Sequence, residues 1–483
     1  MKPIIKSVLS LTFLCLLAVG PKAQAVLPPP DGCYPNYTTA EGCNALSLLT
    51  TGAGNTGVGW YSLFSAGGAN YNTGVGAGTL TLNTADSNTA VGTVALFLNT
   101  TGELNAAVGT GALLYNDSGS QNTANGGFAL NSNTTGSFNT AIGAGALFSN
   151  TTGFGNTAVG FSALSANSAG IGNTAIGWAA LENTTGNSNA AFGDHALFSN
   201  TIGVQNTATG HFALHDNDTG NNNTANGSHA LESNTIGDGN TATGSGALSS
   251  NQTGDANTAV GTSALLFNTT GMNNTALGNV ALLHNTQGNI NIAVGNAALE
   301  NNDTGDNNVG LGNGAGINIT TANNVIAIGS QGANVSNSCF IGQIYNNIQP
   351  QVGTDPDTVT ITSAGRLGRG NVSSRRYKHN IKPMHNASEA IYALKPVSFR
   401  YHKAYDKTQT IAFGLIAEEV AEVNPDLVGR NPEGQPESVR YEQINAMLLN
   451  EFLKTHKLVE EQQMTITQLK RELAELQVVV RDR

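Results

Sequence analysis

Four side chains able to bind a metal, His211, His215, Asp216 and Asp218, fall within eight residues, with His195, His229 and His284 in the same stretch of chain. They occupy places in a repeat that hold unrelated residues elsewhere, so they read as surface decoration, and no metal or other cofactor is expected. Trp60 and Trp178 could act as sugar-stacking platforms, but no pair of carboxylates recurs along a groove, which argues against a glycosidase here. Beyond the first 25 residues the cysteines are Cys33, Cys43 and Cys339. In an oxidising compartment Cys33 and Cys43 could close a short loop, leaving Cys339 unpaired, paired between chains, or buried as a thiol. A last group stands at Ser373-Ser374-Arg375-Arg376-Tyr377-Lys378-His379-Asn380-Ile381, where hydroxyl, amine and imidazole side chains meet the first dense run of positive charge.

Charge divides the chain into two modules. After Lys2, Lys6 and Lys22 there is no Lys or Arg until Arg366, and the other 18 of the 21 basic residues follow. Residues 26–365 hold 17 Asp and Glu and residues 366–483 hold 15, so the long part is strongly acidic and the C-terminal part mildly basic. Phosphate recognition rests mainly on Lys and Arg, which argues against nucleic acid or anionic lipid as a partner of the long part. Lys2 and Lys6, the apolar run Val8–Val19 and Ala23-Gln24-Ala25 read as a secretory signal peptide over 1–25, with the mature chain starting near Val26. No later stretch approaches the roughly 20 apolar residues needed to span a bilayer, so an exported protein without an integral membrane segment is expected.

The long module repeats. Asn-Thr-Ala-x-Gly and its variants begin at Asn55, Asn72, Asn88 and onward to Asn324, seventeen times, with thirteen of sixteen intervals equal to 17 residues and three equal to 16. A fixed short period means stacked coils, not a closed globule. In the copy starting at Asn139, Thr140-Ala141-Ile142 predicts a short strand, Ala141, Ala146 and Leu147 a thin core, and Asn150-Thr151-Thr152-Gly153 a turn whose glycine takes positive φ. Recurring asparagines are expected to stack into amide ladders. Seventeen coils at about 4.8 Å each make a rod of about 80 Å. Such a core is poor for one chain, and the fourth repeat place, which holds Val91, Ile142 and Val159 but also Asn125, Thr209 and Asn226, suits an interface between chains. The short Ala-x-Gly strands partly resemble the head repeats of trimeric autotransporter adhesins, although the period is longer and membrane-anchor strands are missing.

The C-terminal module carries three blocks in order: Ile391 to Tyr401, Phe413 to Val420, and Val439 to Ile444. With the Ser373–Ile381 run before them, they resemble the intramolecular chaperone auto-processing domain that ends endosialidase tailspikes, bacterial fibre proteins and myelin regulatory factor. In that family a serine followed five residues later by a lysine cuts the chain just before the serine once three copies have assembled. The resemblance makes Ser373 the nucleophile on the Val372 carbonyl and Lys378 its general base, with Ser374 the competing nucleophile. A lysine base must be neutral when it takes the serine proton, which demands burial or nearby positive charge; Arg375, Arg376 and Lys382 are close in sequence.

Val397–Tyr401 alternates as a strand, Ile416–Val423 reads as a short helix stopped by Asn424-Pro425, and Thr358–Thr362 as one more strand. A heptad places Phe452, Val459, Ile466, Leu473 and Val480 at one seam position and Leu448, Thr455, Gln462, Leu469 and Leu476 at the other, the pattern of a coiled coil. The domains expected are a signal peptide (1–25), an N-terminal cap (26–54), a mainly β, solenoid-like fibre (55–340), a linker with the cleavage site (341–372), a small α+β auto-processing domain (373–445) and a coiled coil (446–480). The expected function is a secreted or cell-surface, homotrimeric, adhesin-like fibre that trimerises through its tail and then self-cleaves, with carbohydrate or a host protein as its surface ligand. The competing expectation is a non-enzymatic adhesin that keeps an inactive trimerisation tail.

Overall fold

The computed structural model describes residues 35–342, 359–361, 367–369, 374–403, 406, 408–431 and 433–481. The signal peptide, Cys33, Val372 and Ser373 lie outside the described residues. Residues 1–347 and 348–483 belong to two compact units.

The first unit is a β-solenoid. Its strands β1 (Thr39–Glu41) to β19 (Ser338–Ile341) are all parallel, each paired with the next in sequence. Register follows the repeat: in β7 (Thr140–Ile142) and β8 (Thr157–Val159), Thr140 faces Thr157, Ala141 faces Ala158 and Ile142 faces Val159. In the three-residue strands β2 to β17 only the middle residue points inward. Ala141, Ala146 and Leu147 are fully buried, and the same three places supply the core along most of the rod. Leu147 holds φ at 52°. A left-handed residue costs about 1–2 kcal/mol, while burying a leucine returns about 1.5–3 kcal/mol, so leucine is tolerated there.

Two amide columns run inside the coils. In the first, Asn139 N–H donates to Asn122 Oδ1 (3.0 Å) and Asn139 Nδ2 donates to the Gly153 carbonyl (2.9 Å). In the second, Asn150 Nδ2 donates to Asn133 Oδ1 (2.7 Å) and to that same Gly153 carbonyl (3.0 Å). Buried amides thus satisfy the polar groups that a thin alanine core leaves exposed to no water. Apolar residues close three of the four column ends: Val325 N–H donates to Asn308 Oδ1 (2.8 Å), and Ala66 and Ile319 are buried one coil outside Asn83 and Asn302.

Three details depart from the sequence reading. Thr39 pairs with Thr56, so the chain from Thr39 onward, set apart as a cap, is itself a coil. At the other end Ile326 faces Val309, which puts Val325 and not Asn324 above Asn308 in the amide column. Positive φ falls at Gly143 (132°) and Gly145 (69°), not at Gly153. Gly153 is needed because a Cβ there would stand 2.5 Å from the Gly170 carbonyl oxygen of the next coil.

In the second unit, β20 (Val359–Ile361) and β21 (Leu367–Arg369) form an antiparallel pair, so the glycine-rich linker itself contains a strand. A 3-10 helix, His385–Ala393, precedes the pair β22 (Val397–Phe399) and β23 (Ala412–Gly414). Helix α1 (Ala417–Val423) ends at Asn424, and the pair β24 (Val428–Arg430) and β25 (Pro436–Val439) leads into helix α2 (Tyr441–Arg481). Val420, Leu427, Val428, Ile444 and Met447 form a small core.

Candidate functional site

The basic run enters the second unit as a single 3-10 turn, Arg375–Tyr377. Lys378 closes it by donating its N–H to the Arg375 carbonyl (3.1 Å). The Arg376 guanidinium lies 5.1 Å from the centre of the Tyr377 ring, a cation–π contact within the turn. Arg375, Arg376, Lys378 and Lys382 are all exposed. The positive groups named from the sequence therefore share one short surface segment, and the fold of a single chain does not withdraw Lys378 from water.

Further along the chain the base of α2 is clamped to the 3-10 helix His385–Ala393 by groups that sequence reasoning missed. Glu451 is almost fully covered and accepts from Ser388 Oγ, Tyr392 Oη (2.9 Å) and Lys454 Nζ (2.7 Å). Asn450 Nδ2 donates to the His385 carbonyl (3.0 Å) and to Ser388 Oγ (2.6 Å). The bond from Lys454, then that from Ser388, holds the Glu451 carboxyl below its usual range. Bonding to Glu451 raises Lys454 and Tyr392 above theirs. Tyr441, at the start of α2, accepts the Leu415 N–H on its hydroxyl (2.9 Å). Nothing local in the sequence marked these groups, since Ser388 and Tyr392 lie 63 and 59 residues from Glu451.

Beyond the clamp the apolar residues of α2 face outward: Val459, Ile466, Leu469, Leu473 and Leu476 are all exposed. The heptad is thus a continuous helix with an uncovered seam.

On the rod, the histidines of neighbouring coils stack with aromatic rings instead of converging on a point. His195 lies parallel to Phe212 (5.3 Å), and Phe212 parallel to His229 (5.7 Å). His195, His215 and His229 each pair with a carboxylate, those of Asp194, Asp216 and Glu232. Among the described residues no group of three or more His, Cys, Asp or Glu is placed to hold a metal. Cys43 and Cys339 are both exposed, so Cys339 is not a buried thiol in the single chain. No helix among the described residues is long and apolar enough to cross a membrane.

No curated protein and no solved structure matches the chain. One family model does, and its match begins at the serine singled out by the basic run: residues 373–429 match the family described as the chaperone of endosialidase.

Proposed function

We propose that the chain is an exported, trimeric β-solenoid fibre whose C-terminal segment is an intramolecular chaperone that aligns three copies and then cuts itself free before Ser373. The observation that carries this reading is the chaperone match starting at Ser373, next to a rod with a thin core and no Lys or Arg. In this reading residues 1–25 direct export, the solenoid is the part delivered, residues 373–445 are the processing domain and residues 446–480 join three helices through their exposed seam. Ser373 attacks the Val372 carbonyl, and Lys378 takes the serine proton. Exposure of Lys378 in one chain fits a site completed only on assembly, when neighbouring subunits withdraw it from water and bring further positive charge near it. Cutting then awaits a correctly assembled fibre.

Expression of the full chain, followed by a denaturing gel and N-terminal sequencing of the small fragment, tests this. A fragment beginning at Ser373 is expected. A full-length chain persisting in a trimer verified by light scattering would leave the non-enzymatic fibre with a retained tail.

A further inference from the structure

The chain has 17 Asp and Glu and no Lys or Arg between 26 and 365, so two copies of its rod repel unless they meet on a face without carboxylates. The structure contains one such face. Strands β2 to β19 carry no Asp, Glu, Lys or Arg, and among the described coils the sole strand carboxylate is Glu41 in β1. The third residue of the three-residue strands β2 to β17 points outward, and along most of the rod it is apolar: Val91, Val108, Ile142, Ile176 and Leu277 are exposed, as is Ile328, which pairs with Leu311 in the same column. Other exposed apolar side chains, such as Phe138, Phe154 and Trp178, lie on turns that also bear the acidic residues.

We propose that this uncharged strand face is where the rods of the fibre meet, packed parallel and in register around a shared axis, so that each outward residue faces its own copies. The inference rests on the trimeric reading above and names the surface that serves it. Its size is substantial: eighteen strands at about 4.8 Å, each about 10 Å long, present about 860 Å² per chain, which a trimer divides between two neighbours. Its polar interruptions fit as well. Asn125, Thr209, Asn226 and Thr243 occupy the outward place in their strands, and each can exchange hydrogen bonds with its symmetry copies.

Cys339 provides the test. It pairs in register with Ile326 in the outward first column of the same face and is exposed, so in-register packing brings Cys339 of one copy beside Cys339 of the next. Treatment with copper phenanthroline removes two protons and two electrons from two thiols and leaves one S–S bond. The full chain is made in three forms with every other cysteine replaced by serine: Cys339 alone, Ile142→Cys in a Cys339→Ser background, and Phe154→Cys in the same background. Disulfide-linked dimers on a non-reducing denaturing gel are expected from the first two and not from the third. A native trimer that cross-links only through Phe154→Cys, or through none of the three, would overturn the assignment of the face while leaving the trimer intact. A monomer by light scattering would overturn the trimeric reading and this inference with it.

Discussion

Thr184 stands one coil above Asn167 in the second amide column and leaves Asn167 Oδ1 buried with no hydrogen-bond partner. Elsewhere an asparagine fills this place and donates to the amide below. Thr184 instead accepts from Asn200 Nδ2 (2.9 Å) and Gly186 N–H (3.1 Å), and it has no amide to give. Its coil is one of the 16-residue copies, but Asn83 sits in another shortened coil and still reaches the Ala85 carbonyl (2.7 Å). The shorter turn therefore accommodates asparagine. Thr184→Asn should restore the column and stabilise the rod by about 1 kcal/mol, seen as slower hydrogen exchange in residues 167–189 and a raised thermal midpoint. Unchanged protection would mean that Asn167 Oδ1 is satisfied by water.

Gly143 and Gly155 separate steric contact from backbone strain. A Cβ on Gly143 would lie 2.6 Å from the Gly160 carbonyl carbon, at a φ of 132° that L-residues avoid. Gly155 has a φ of 67° and nothing within 4 Å of its would-be Cβ. Gly143→Ala should cost about 3 kcal/mol or more, because adjacent coils must part, whereas Gly155→Ala should cost about 1 kcal/mol. Urea midpoints of the two variants decide the matter, and equal losses would show that stacking distance does not limit the side chain at Gly143.

The solenoid was largely legible from the sequence because its repeats are local: Ala141, Ala146 and Leu147 recur in phase, and stacking identical coils buries them all. The coil at Thr39 escaped notice because Thr38 and Glu41 stand where later copies have asparagine and an apolar residue. Asn324 misled for the converse reason, since it carries the right side chain one residue out of register. The Glu451 clamp was not legible at all. Its partners Ser388 and Tyr392 lie 63 and 59 residues away, and no local period marks a contact that only tertiary folding creates.

That clamp makes the second unit acid-sensitive in a defined direction. Because the Glu451 carboxyl is held below its ordinary value of 4.5, its contribution is complete above that pH and is lost as pH falls through the lower folded value. Lys454 mirrors it: its raised value makes its contribution complete below 10.5 and lost as pH rises past the folded value. Hydrogen exchange of peptides covering 385–394 and 447–455, corrected for intrinsic rates, should accelerate below about pH 4.5 in the natural chain. Glu451→Gln should flatten that dependence. A variant that keeps the full acid response would assign the sensitivity to another carboxylate.

The proposed self-cleavage has its sharpest test at Lys378. Ser373→Ala and Lys378→Ala should each leave an uncut, full-length trimer, because in the proposed fibre assembly rests on apolar surfaces that neither residue supplies. Lys378→Arg keeps the positive charge of the turn yet should also fail to cut, since a guanidinium stays protonated and cannot accept the serine proton. In the natural chain the cleavage rate of assembled trimers should rise with pH as the neutral amine becomes more populated. Cutting by Lys378→Arg at the natural rate would exclude Lys378 as the base and direct attention to His379, the adjacent imidazole, whose replacement by glutamine would then abolish the fragment.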